Sequence, residues 1–400
     1  MLSISKMVSG QKEGGDALRY HVPGAHPGPV TVWNSTRACN LRCRHCYANA
    51  TAGPAEGELS TEEAKRFIDG LARAKAPVLL FSGGEPLTRP DFFELVNYTR
   101  AYGIRPVIST NGTLISLEVA RRIKEAGVGY VGISLDGLEE LNDRMRAVPG
   151  AFKMALEGIR NCVEAGQRVG LRFTITRDNY RDVPAIFDLV EKEEINRVCF
   201  YHLVSVGRGV NLRDQDLDPA AKRSLVELII NRTIDFCERG LKKEILTVDN
   251  HADAVFIYLK VKQIAPERAG EVYNWLKQTG GNRSGSRIGA VDWFGNVYPD
   301  QFTRGHVLGN IREKEFGEIW DDETQPLLKQ MKNRKTLLKG RCAACRWLEI
   351  CNGNFRARAE AVYGDFWAQD PGCYLTYEEI AADGAGALSN KTFLTAKTPR

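Results

Sequence analysis

The sequence predicts an α/β fold around a parallel sheet, for three reasons. Six short apolar segments alternate with segments of helical periodicity between residues 30 and 239. The apolar segments lack the polar alternation of a sheet with one solvent-exposed face, so helices should cover both faces. Polar or glycine-rich motifs follow the first three segments and end the fourth, where such folds bind ligands. Six units are too few for a closed eight-unit barrel, which leaves a partial barrel or an open, doubly wound sheet.

The predicted strands and helices alternate strictly along this region. Strands are predicted at residues 30–34, 77–82, 106–110, 130–135, 169–176 and 197–203. Helices are predicted at residues 60–74, 91–102, 117–126, 152–165, 183–193 and 219–239. The first helix has the clearest start, because Ser60 and Glu63 form a capping-box pattern.

A different pattern follows residue 240. It predicts a strand at 244–249, a helix at 252–278 broken near Pro266, a hairpin of 287–291 with 296–298, and a helix at 316–321. Residues 1–28 have no regular pattern, and the tail after residue 380 has the composition of a flexible segment. The predicted divisions are therefore an N-terminal extension (1–28), a βα domain (29–240), a C-terminal domain (241–380) and a tail (381–400).

The composition excludes several classes of protein. The net charge of +5 comes without a dense Lys/Arg tract among aromatic residues, so no nucleic-acid partner is expected. A signal peptide and an apolar run of about 20 residues are both absent, so neither secretion nor membrane insertion is expected and the predicted location is the cytoplasm. Clustered cysteines in a cytosolic chain usually bind metal rather than form disulfides.

Three cysteines form a C-x3-C-x2-C loop directly after the first predicted strand: Cys39, Cys43 and Cys46. Cysteine thiolates are the usual ligands of iron–sulfur clusters, and a [4Fe-4S] cluster takes four of them. If no fourth cysteine reaches this loop, one iron keeps an open coordination site, as in catalytic rather than structural metal centres.

Four further cysteines make a complete ligand set downstream: Cys342, Cys345, Cys351 and Cys373. Spacing alone allows either an auxiliary iron–sulfur cluster or a tetrahedral zinc site. The remaining cysteines, Cys162, Cys199 and Cys237, lie inside predicted helices or strands and are expected in the core.

The cysteine loop is followed at successive strand ends by Gly83-Gly84-Glu85-Pro86 and by Ser109-Thr110-Asn111-Gly112. Together these motifs resemble the radical S-adenosylmethionine (SAM) superfamily, and the second cysteine set resembles its SPASM or twitch extension. The resemblance implies a partial (β/α)6 barrel with a C-terminal iron–sulfur extension. It also implies that SAM occupies the open iron and yields a 5'-deoxyadenosyl radical. Asp300 stands where a further SPASM cysteine would be, so two [4Fe-4S] clusters are implied, one binding SAM and one auxiliary.

The resemblance also implies which residues contact SAM. His45 would pack near adenine; Gly83 and Gly84 would receive the methionine ammonium with Glu85 as counter-charge; Ser109, Thr110 and Asn111 would bind ribose; Ser134 and Arg146 would hold the methionine carboxylate. Glycine allows close backbone approach, and arginine suits a carboxylate through paired hydrogen bonds.

Several segments narrow the resemblance to the tetrapyrrole-modifying branch, which includes didecarboxysiroheme deacetylase and NirJ-type enzymes of heme biosynthesis. They are residues 3–6, 16–20, 32–34, 249–253, 295–302 and 351–360. The branch implies loss of carboxylated side chains from an iron porphinoid, with reduced ferredoxin or flavodoxin as electron donor. Of its reactions, side-chain removal from didecarboxysiroheme is favoured.

Such a substrate is a flat polyanion that needs cations and can take an axial histidine. The candidate cations are Arg208, Arg304, Arg356 and Arg358, and the candidate ligands are His202, His251 and His306.

Two alternatives remain open. One is maturation of a ribosomal peptide by a SPASM enzyme, which is less favoured because only residues 1–28 precede the first predicted strand and no peptide-recognition domain is seen there. The other is a non-enzymatic iron–sulfur carrier or sensor, which would not need the Gly-Gly-Glu-Pro and Ser-Thr-Asn-Gly motifs.

Overall fold

One mixed sheet of eleven strands organises the part of the chain that the computed structural model describes, residues 1–11, 13, 16 and 28–381. In chain order the strands are β1 (Leu2–Ser3), β2 (Val30–Thr36), β3 (Val78–Gly83), β4 (Arg105–Thr110), β5 (Val131–Ser134), β6 (Val169–Ile175), β7 (Arg197–His202), β8 (Glu244–Val248), β9 (Ile288–Val291), β10 (Asn296–Tyr298) and β11 (Gly309–Asn310). Their order across the sheet is β1-β8-β7-β6-β5-β4-β3-β2-β9-β10-β11.

The predicted partial barrel is confirmed, and it is larger than the sequence indicated. The six predicted strands, β2 to β7, pair in parallel, and β8 and β9 extend them in parallel at the two sides. Antiparallel strands finish the described sheet, β1 beside β8 and β10 with β11 beside β9. Because β1 and β11 are its two ends, the barrel is open.

Helices cover the outer face of the sheet. Those described are α1 (Ile4–Ser9), α2 (Thr61–Arg73), α3 (Phe92–Ala101), α4 (Leu117–Glu125), α5 (Glu139–Arg146), α6 (Ala151–Glu164), α7 (Val183–Lys192), α8 (Pro219–Glu238), α9 (Ala252–Ile264), α10 (Ala269–Thr279), α11 (Phe316–Trp320), α12 (Pro326–Lys332), α13 (Leu348–Cys351), α14 (Arg356–Tyr363) and α15 (Tyr377–Ile380). The capping box of Ser60 and Glu63 and the break at Pro266 are confirmed. Among the helices described, none is both long and apolar enough to cross a lipid bilayer.

Two sequence predictions of local structure are wrong. Residues 2–9 are regular, because Leu2 and Ser3 pair with β8 and Ile4 and Met7 of α1 are fully buried. Elements this short carry no detectable period. Helix α5 was missed because Leu141 and Met145 are the two apolar residues among its eight, too few to show a helical period in the sequence. Most of the predicted N-terminal extension and residues 382–400 of the predicted tail lie outside the described residues.

The two faces of the sheet differ in chemistry. Along β6, Leu171, Phe173 and Ile175 pack outward into the helix-covered core, as the prediction of buried strands requires. The alternate residues Arg172 and Thr174 point into the barrel, whose interior is therefore partly polar. The sequence suggested strands that are apolar on both faces, but β6 is polar on its inner face. The barrel interior also contains cavities instead of a packed apolar layer.

Candidate active site at the carboxyl ends of the strands

The cysteine loop leaves the end of β2 and is fastened to a helix that the sequence did not reveal. The amide of Arg42 donates to the carbonyl of Arg146 at 3.2 Å, and that of Arg44 donates to Met145 at 2.9 Å. Cys43 is buried, whereas Cys39 and Cys46 are half-buried. Helix α5 therefore sets the position of the loop that carries the three thiols.

The two glycines after β3 are needed because the cysteine loop passes directly over them. A Cβ atom on Gly84 would lie 2.0 Å from the carbonyl oxygen of Ala38, and one on Gly83 would lie 2.6 Å from that of Thr36. Gly83 also has a φ of 119°, which side chains other than glycine rarely adopt. The motif thus packs β3 against the cysteine loop, in addition to lining the space below it.

The structure corrects the predicted role of Glu85. Its carboxylate is fully buried and accepts hydrogen bonds from the Thr110 hydroxyl and the Asn111 amide, each at 2.8 Å, and from the Leu87 amide at 3.1 Å. Burial raises its pKa to about 7. Because these partners occupy the carboxylate and it does not line the cavity, Glu85 joins the ends of β3 and β4 and is not a free counter-charge for a ligand.

The Ser-Thr-Asn motif divides its work between ligand space and structure. The hydroxyl of Thr110 donates to Glu85. The side-chain amide of Asn111 donates to the Asn40 side chain at 2.8 Å and to the Cys39 sulfur at 3.9 Å. The hydroxyl of Ser109 has no hydrogen-bond partner within the described part of the chain, and Ser109 lines the cavity. Ser109 is therefore the member of this motif best placed to bind a ligand hydroxyl.

Asp136 lies between two residues that are predicted to contact SAM, His45 and Arg146, and its role was not predicted from the sequence. Its buried carboxylate forms an ion pair with Arg146, lies 3.2 Å from His45 Nε2, and accepts a hydrogen bond from the Thr174 main-chain amide at 2.8 Å. Arg146 in turn donates to the Cys43 sulfur at 3.5 Å. Burial lowers the pKa of His45 to about 4, although Asp136 opposes the shift, so the ring is neutral near pH 7. The position of Asp136 at the end of β5 was the available signal.

These residues surround a space that we call the cysteine-loop cavity. Its lining includes the three cysteines, His45, Gly83, Gly84, Ser109, Thr110, Asn111, Ser134 and Arg146. Three buried polar atoms in its walls have no hydrogen-bond partner among the described residues: His45 Nδ1, Arg146 Nε and Arg208 Nη2. Buried polar groups are normally satisfied, so three thiols beside unmatched nitrogen atoms fit an iron–sulfur cluster with a polar, charged ligand.

The second cysteine set encloses its thiols differently. Burial raises the pKa of all four thiols, that of Cys373 to about 11, and the other three cysteines raise the pKa of Cys351 further. In residues 28–381 no three or more His, Cys, Asp or Glu side chains converge as ligands of one metal ion.

Two predicted substrate cations have structural partners instead. Arg356 is buried and donates to the carbonyls of Phe366, Ala368 and Gly353. Arg358 is buried, pairs with Asp370 and donates to the carbonyl of Asp249. Neither lines a cavity described here. Each guanidinium is already bound to carbonyls or a carboxylate, although Arg356 Nε has no partner among the described residues, and this argues against the predicted substrate contacts of Arg356 and Arg358.

The other two predicted cations lie near the cysteine loop. Arg208 donates to the carbonyls of Cys43 at 2.9 Å and Ala50 at 2.7 Å, and it lines the cysteine-loop cavity. Arg304 donates to Ala48 at 3.2 Å and stacks over Trp293, outside the described cavities. Arg208 thus holds the loop, and only its unmatched Nη2 remains for a ligand.

The three histidines predicted as axial ligands of the substrate iron differ in their surroundings. His306 pairs with Glu360 at 2.7 Å, outside the described cavities, which argues against it. His202 lines the cysteine-loop cavity, but its Nε2 is 2.9 Å from Asp253. His251 is buried, has no partner for Nδ1 among the described residues, and lines a second cavity.

This second space, the barrel cavity, lies inside the curved sheet. Apolar residues of β2, β3, β4 and β8 line it together with five arginines: Arg105, Arg172, Arg197, Arg283 and Arg287. It shares wall residues with the cysteine-loop cavity, among them Arg172, Tyr201, Asp249 and Gln301. A ligand in the barrel cavity would therefore lie next to a ligand held by the cysteine loop. Cys199 also lines this cavity and Cys237 is half-buried, so of the predicted core cysteines only Cys162 lies in the main apolar core.

Comparison with known proteins supports a catalytic domain followed by a separate iron–sulfur cluster-binding domain in this chain. Residues 33–190 match the Radical SAM superfamily and residues 283–346 match the SPASM iron–sulfur cluster-binding domain. The chain is 53% identical over 394 residues to the Fe-coproporphyrin III synthase of Methanosarcina barkeri, covering 95% of this chain and 99% of the relative. It is 40% identical to the pre-heme d1 synthase of Dinoroseobacter shibae, with 88% of each covered.

Solved structures with the same fold are more distant in sequence. SuiB of Streptococcus suis bound to S-adenosylmethionine superposes with a TM-score of 0.68 at 19% identity, covering 87% of this chain and 78% of SuiB. Native anSMEcpe with bound AdoMet also gives 0.68, at 18% identity, covering 88% and 96%. The chain therefore belongs to the radical SAM superfamily with a SPASM extension, and it is an iron–sulfur, SAM-dependent enzyme of heme biosynthesis.

Proposed function

We propose that this enzyme removes carboxylated side chains from an iron porphinoid, converting didecarboxysiroheme to an iron coproporphyrin. The observation that carries the proposal is the barrel cavity, which shares a wall with the cysteine-loop cavity. The relative named Fe-coproporphyrin III synthase supports the choice of reaction, because it matches this chain over almost the full length of both.

The barrel cavity has the chemistry that such a substrate requires. An iron porphinoid has two flat apolar faces and a rim of carboxylates. Residues such as Val32, Leu80 and Val107 offer apolar surface, and the arginines offer positive charge in the same space. Charge-assisted pairing of guanidinium with carboxylate is strong and directional, and burial away from water strengthens it further.

The residues around the cysteine loop would prepare the reaction. Cys39, Cys43 and Cys46 would hold three irons of the cluster, and Ser109, Ser134 and Arg146 would orient SAM through hydroxyl and guanidinium groups. When both are bound and the cluster is reduced, the cluster and SAM would supply a 5'-deoxyadenosyl radical that removes a hydrogen atom from the substrate. Asp136 keeps Arg146 and neutral His45 in place.

The second cysteine set and the electron donor complete the proposed machinery. Cys342, Cys345, Cys351 and Cys373 would hold a fully ligated auxiliary cluster, suited to electron transfer or substrate positioning and not to SAM cleavage. Reduced ferredoxin or flavodoxin would deliver the electron in the cytoplasm, where ten free cysteines can remain reduced.

Anaerobic reconstitution with iron and sulfide, followed by SAM and dithionite, tests the proposal. We expect 5'-deoxyadenosine to form and didecarboxysiroheme to lose mass corresponding to its acetate side chains. Cys237→Ser, which alters a cysteine outside both sets, is the matched control and should behave as wild type. An unchanged mass of didecarboxysiroheme despite 5'-deoxyadenosine formation would contradict the proposed substrate. Conversion of a d1-type heme precursor instead would favour the reaction of the 40% identical relative.

A further inference from the structure

One arginine inside the barrel has a position that no other cation in the described chain shares. Arg172 lies on β6, points into the barrel and lines both the cysteine-loop cavity and the barrel cavity. The register of the sheet pairs it with Ser134 on β5, a residue of the cysteine-loop cavity. Paired residues of neighbouring parallel strands project from the same face, so Arg172 lies directly beside the predicted SAM site.

The guanidinium of Arg172 is also unusual in having no committed partner. Arg146 and Arg197 form ion pairs, and Arg105, Arg208 and Arg283 donate to main-chain carbonyls. The side chain of Arg287 also has no hydrogen bond or ion pair among the described residues, but it lines the barrel cavity and not the cysteine-loop cavity. Within the described residues the Arg172 side chain makes no hydrogen bond or ion pair, and its one ring contact is with Tyr201, 4.6 Å from the ring centroid. The carboxylate of Asp249, which lines the same two cavities, interacts with Arg172 electrostatically but forms no ion pair or hydrogen bond with it. A partly buried cation with no direct partner is costly unless an anion joins it.

The neighbouring strand is shaped to accommodate this side chain. A Cβ atom on Gly132 would lie 2.8 Å from Cδ of Arg172, so any larger residue there would displace the arginine. Gly132 is paired with Gly170 on β6, where a Cβ atom would lie 2.4 Å from the Tyr130 hydroxyl. Glycine within a strand weakens it, and such glycines often mark the close approach of another group. Two adjacent glycines here leave the interior open around Arg172 and Tyr130.

We infer that Arg172 binds a carboxylate of the substrate at the wall shared by the two cavities and so fixes which side chain meets the radical. The inference rests on the proposed function, because it takes the substrate to be a carboxylated iron porphinoid. Tyr201 holds the guanidinium plane by stacking and leaves its edge for two parallel hydrogen bonds to one carboxylate. Binding one carboxylate beside Ser134 would select the side chain nearest to SAM.

Binding measurements test the inference without turnover. Absorbance titration of reconstituted enzyme with Fe-coproporphyrin III should show a Kd about 10- to 100-fold higher for Arg172→Gln than for wild type. Arg172→Lys should recover part of the affinity, because it keeps the charge but loses the paired geometry. Iron etioporphyrin, which has no carboxylates, should bind wild type and Arg172→Gln alike.

Turnover then distinguishes positioning from a general loss of fold. In Arg172→Gln, SAM cleavage without substrate should fall by much less than the affinity for Fe-coproporphyrin III, while the 5'-deoxyadenosine formed per product should rise several-fold. The matched control is Arg181→Gln, which removes an exposed arginine that also stacks on a tyrosine, Tyr180 at 5.6 Å. It should change neither quantity.

Three outcomes would overturn the inference. An unchanged Kd for Fe-coproporphyrin III in Arg172→Gln would show that Arg172 binds no substrate carboxylate. An equal loss of SAM binding and of substrate-free cleavage would assign Arg172 to SAM instead. Failure of wild type to bind any iron porphinoid would remove the proposed function as well, so the two failures are distinguishable.

Discussion

The two cysteine sets differ in what surrounds their thiols. Around the first set, the Cys39 and Cys43 sulfurs accept hydrogen bonds from Asn111 and Arg146, two side chains that also line a cavity. Around the second set, the guanidinium of Arg356 is committed to main-chain carbonyls and none of the four cysteines lines a cavity described here. Three thiols beside open space suit a cluster that binds a ligand, whereas four enclosed thiols suit a cluster that is complete.

The largest expected effect comes from removing one ligand of the open site. Cys43→Ser should lower 5'-deoxyadenosine formation by more than ~100-fold, since even residues that only support a metal ligand are worth 10- to 100-fold. Quantitative chromatography of the nucleoside after anaerobic reconstitution measures it. Retention of most of the wild-type rate would mean that these three cysteines do not hold the SAM-binding cluster.

The corresponding change in the closed site should separate the two clusters. Cys351→Ser should reduce the iron content from about eight to about four atoms per chain, while SAM cleavage without substrate stays within ~3-fold of wild type. Product formation should fall much further, because the auxiliary cluster serves a later step or the substrate. If Cys351→Ser lost SAM cleavage as completely as Cys43→Ser, the two sites would not be independent.

A smaller effect is expected from the cation of the open site. Arg146→Gln should raise the Kd for SAM roughly 10- to 100-fold, because it removes the cation proposed to bind the methionine carboxylate of SAM. It also leaves Asp136 buried without its strongest counter-charge. Equilibrium binding of labelled SAM measures the change. Arg160→Gln, which breaks an exposed pair with Glu193, is the control and should leave the Kd unchanged.

The smallest expected effect concerns the packing beneath the cysteine loop. Gly84→Ala should destabilise the enzyme by about 1–3 kcal/mol, because the added methyl group would collide with the Ala38 carbonyl. Thermal unfolding of the reconstituted enzyme should show a lower Tm. Gly53→Ala adds the same methyl group where nothing lies within 4 Å and should leave Tm unchanged. Equal Tm values for the two variants would mean that the loop does not need this glycine.

Much of the open site could be predicted from the sequence because its residues come in contiguous motifs. A strand followed by Cys39, by Gly83 or by Ser109 is a local pattern, and parallel strands bring their carboxyl ends to one edge whatever the details of packing. The seven clustered cysteines were likewise visible through spacing alone. For the same reason the six central strands and their helices were predicted at nearly their observed positions.

The tertiary structure decided how the charged side chains are used. Arg172 and Arg356 look equivalent in the sequence, yet one lines both cavities and the other is bound to main-chain carbonyls. Only the register of the strands shows which face of β6 lines the barrel, and only the folded loop shows which carbonyls lack donors. Helix α5 has two apolar residues among eight, too few to reveal it in the sequence, although it fastens the cysteine loop. Local sequence patterns therefore determined where the chemistry lies, while long-range packing determined which arginines remain available for a substrate.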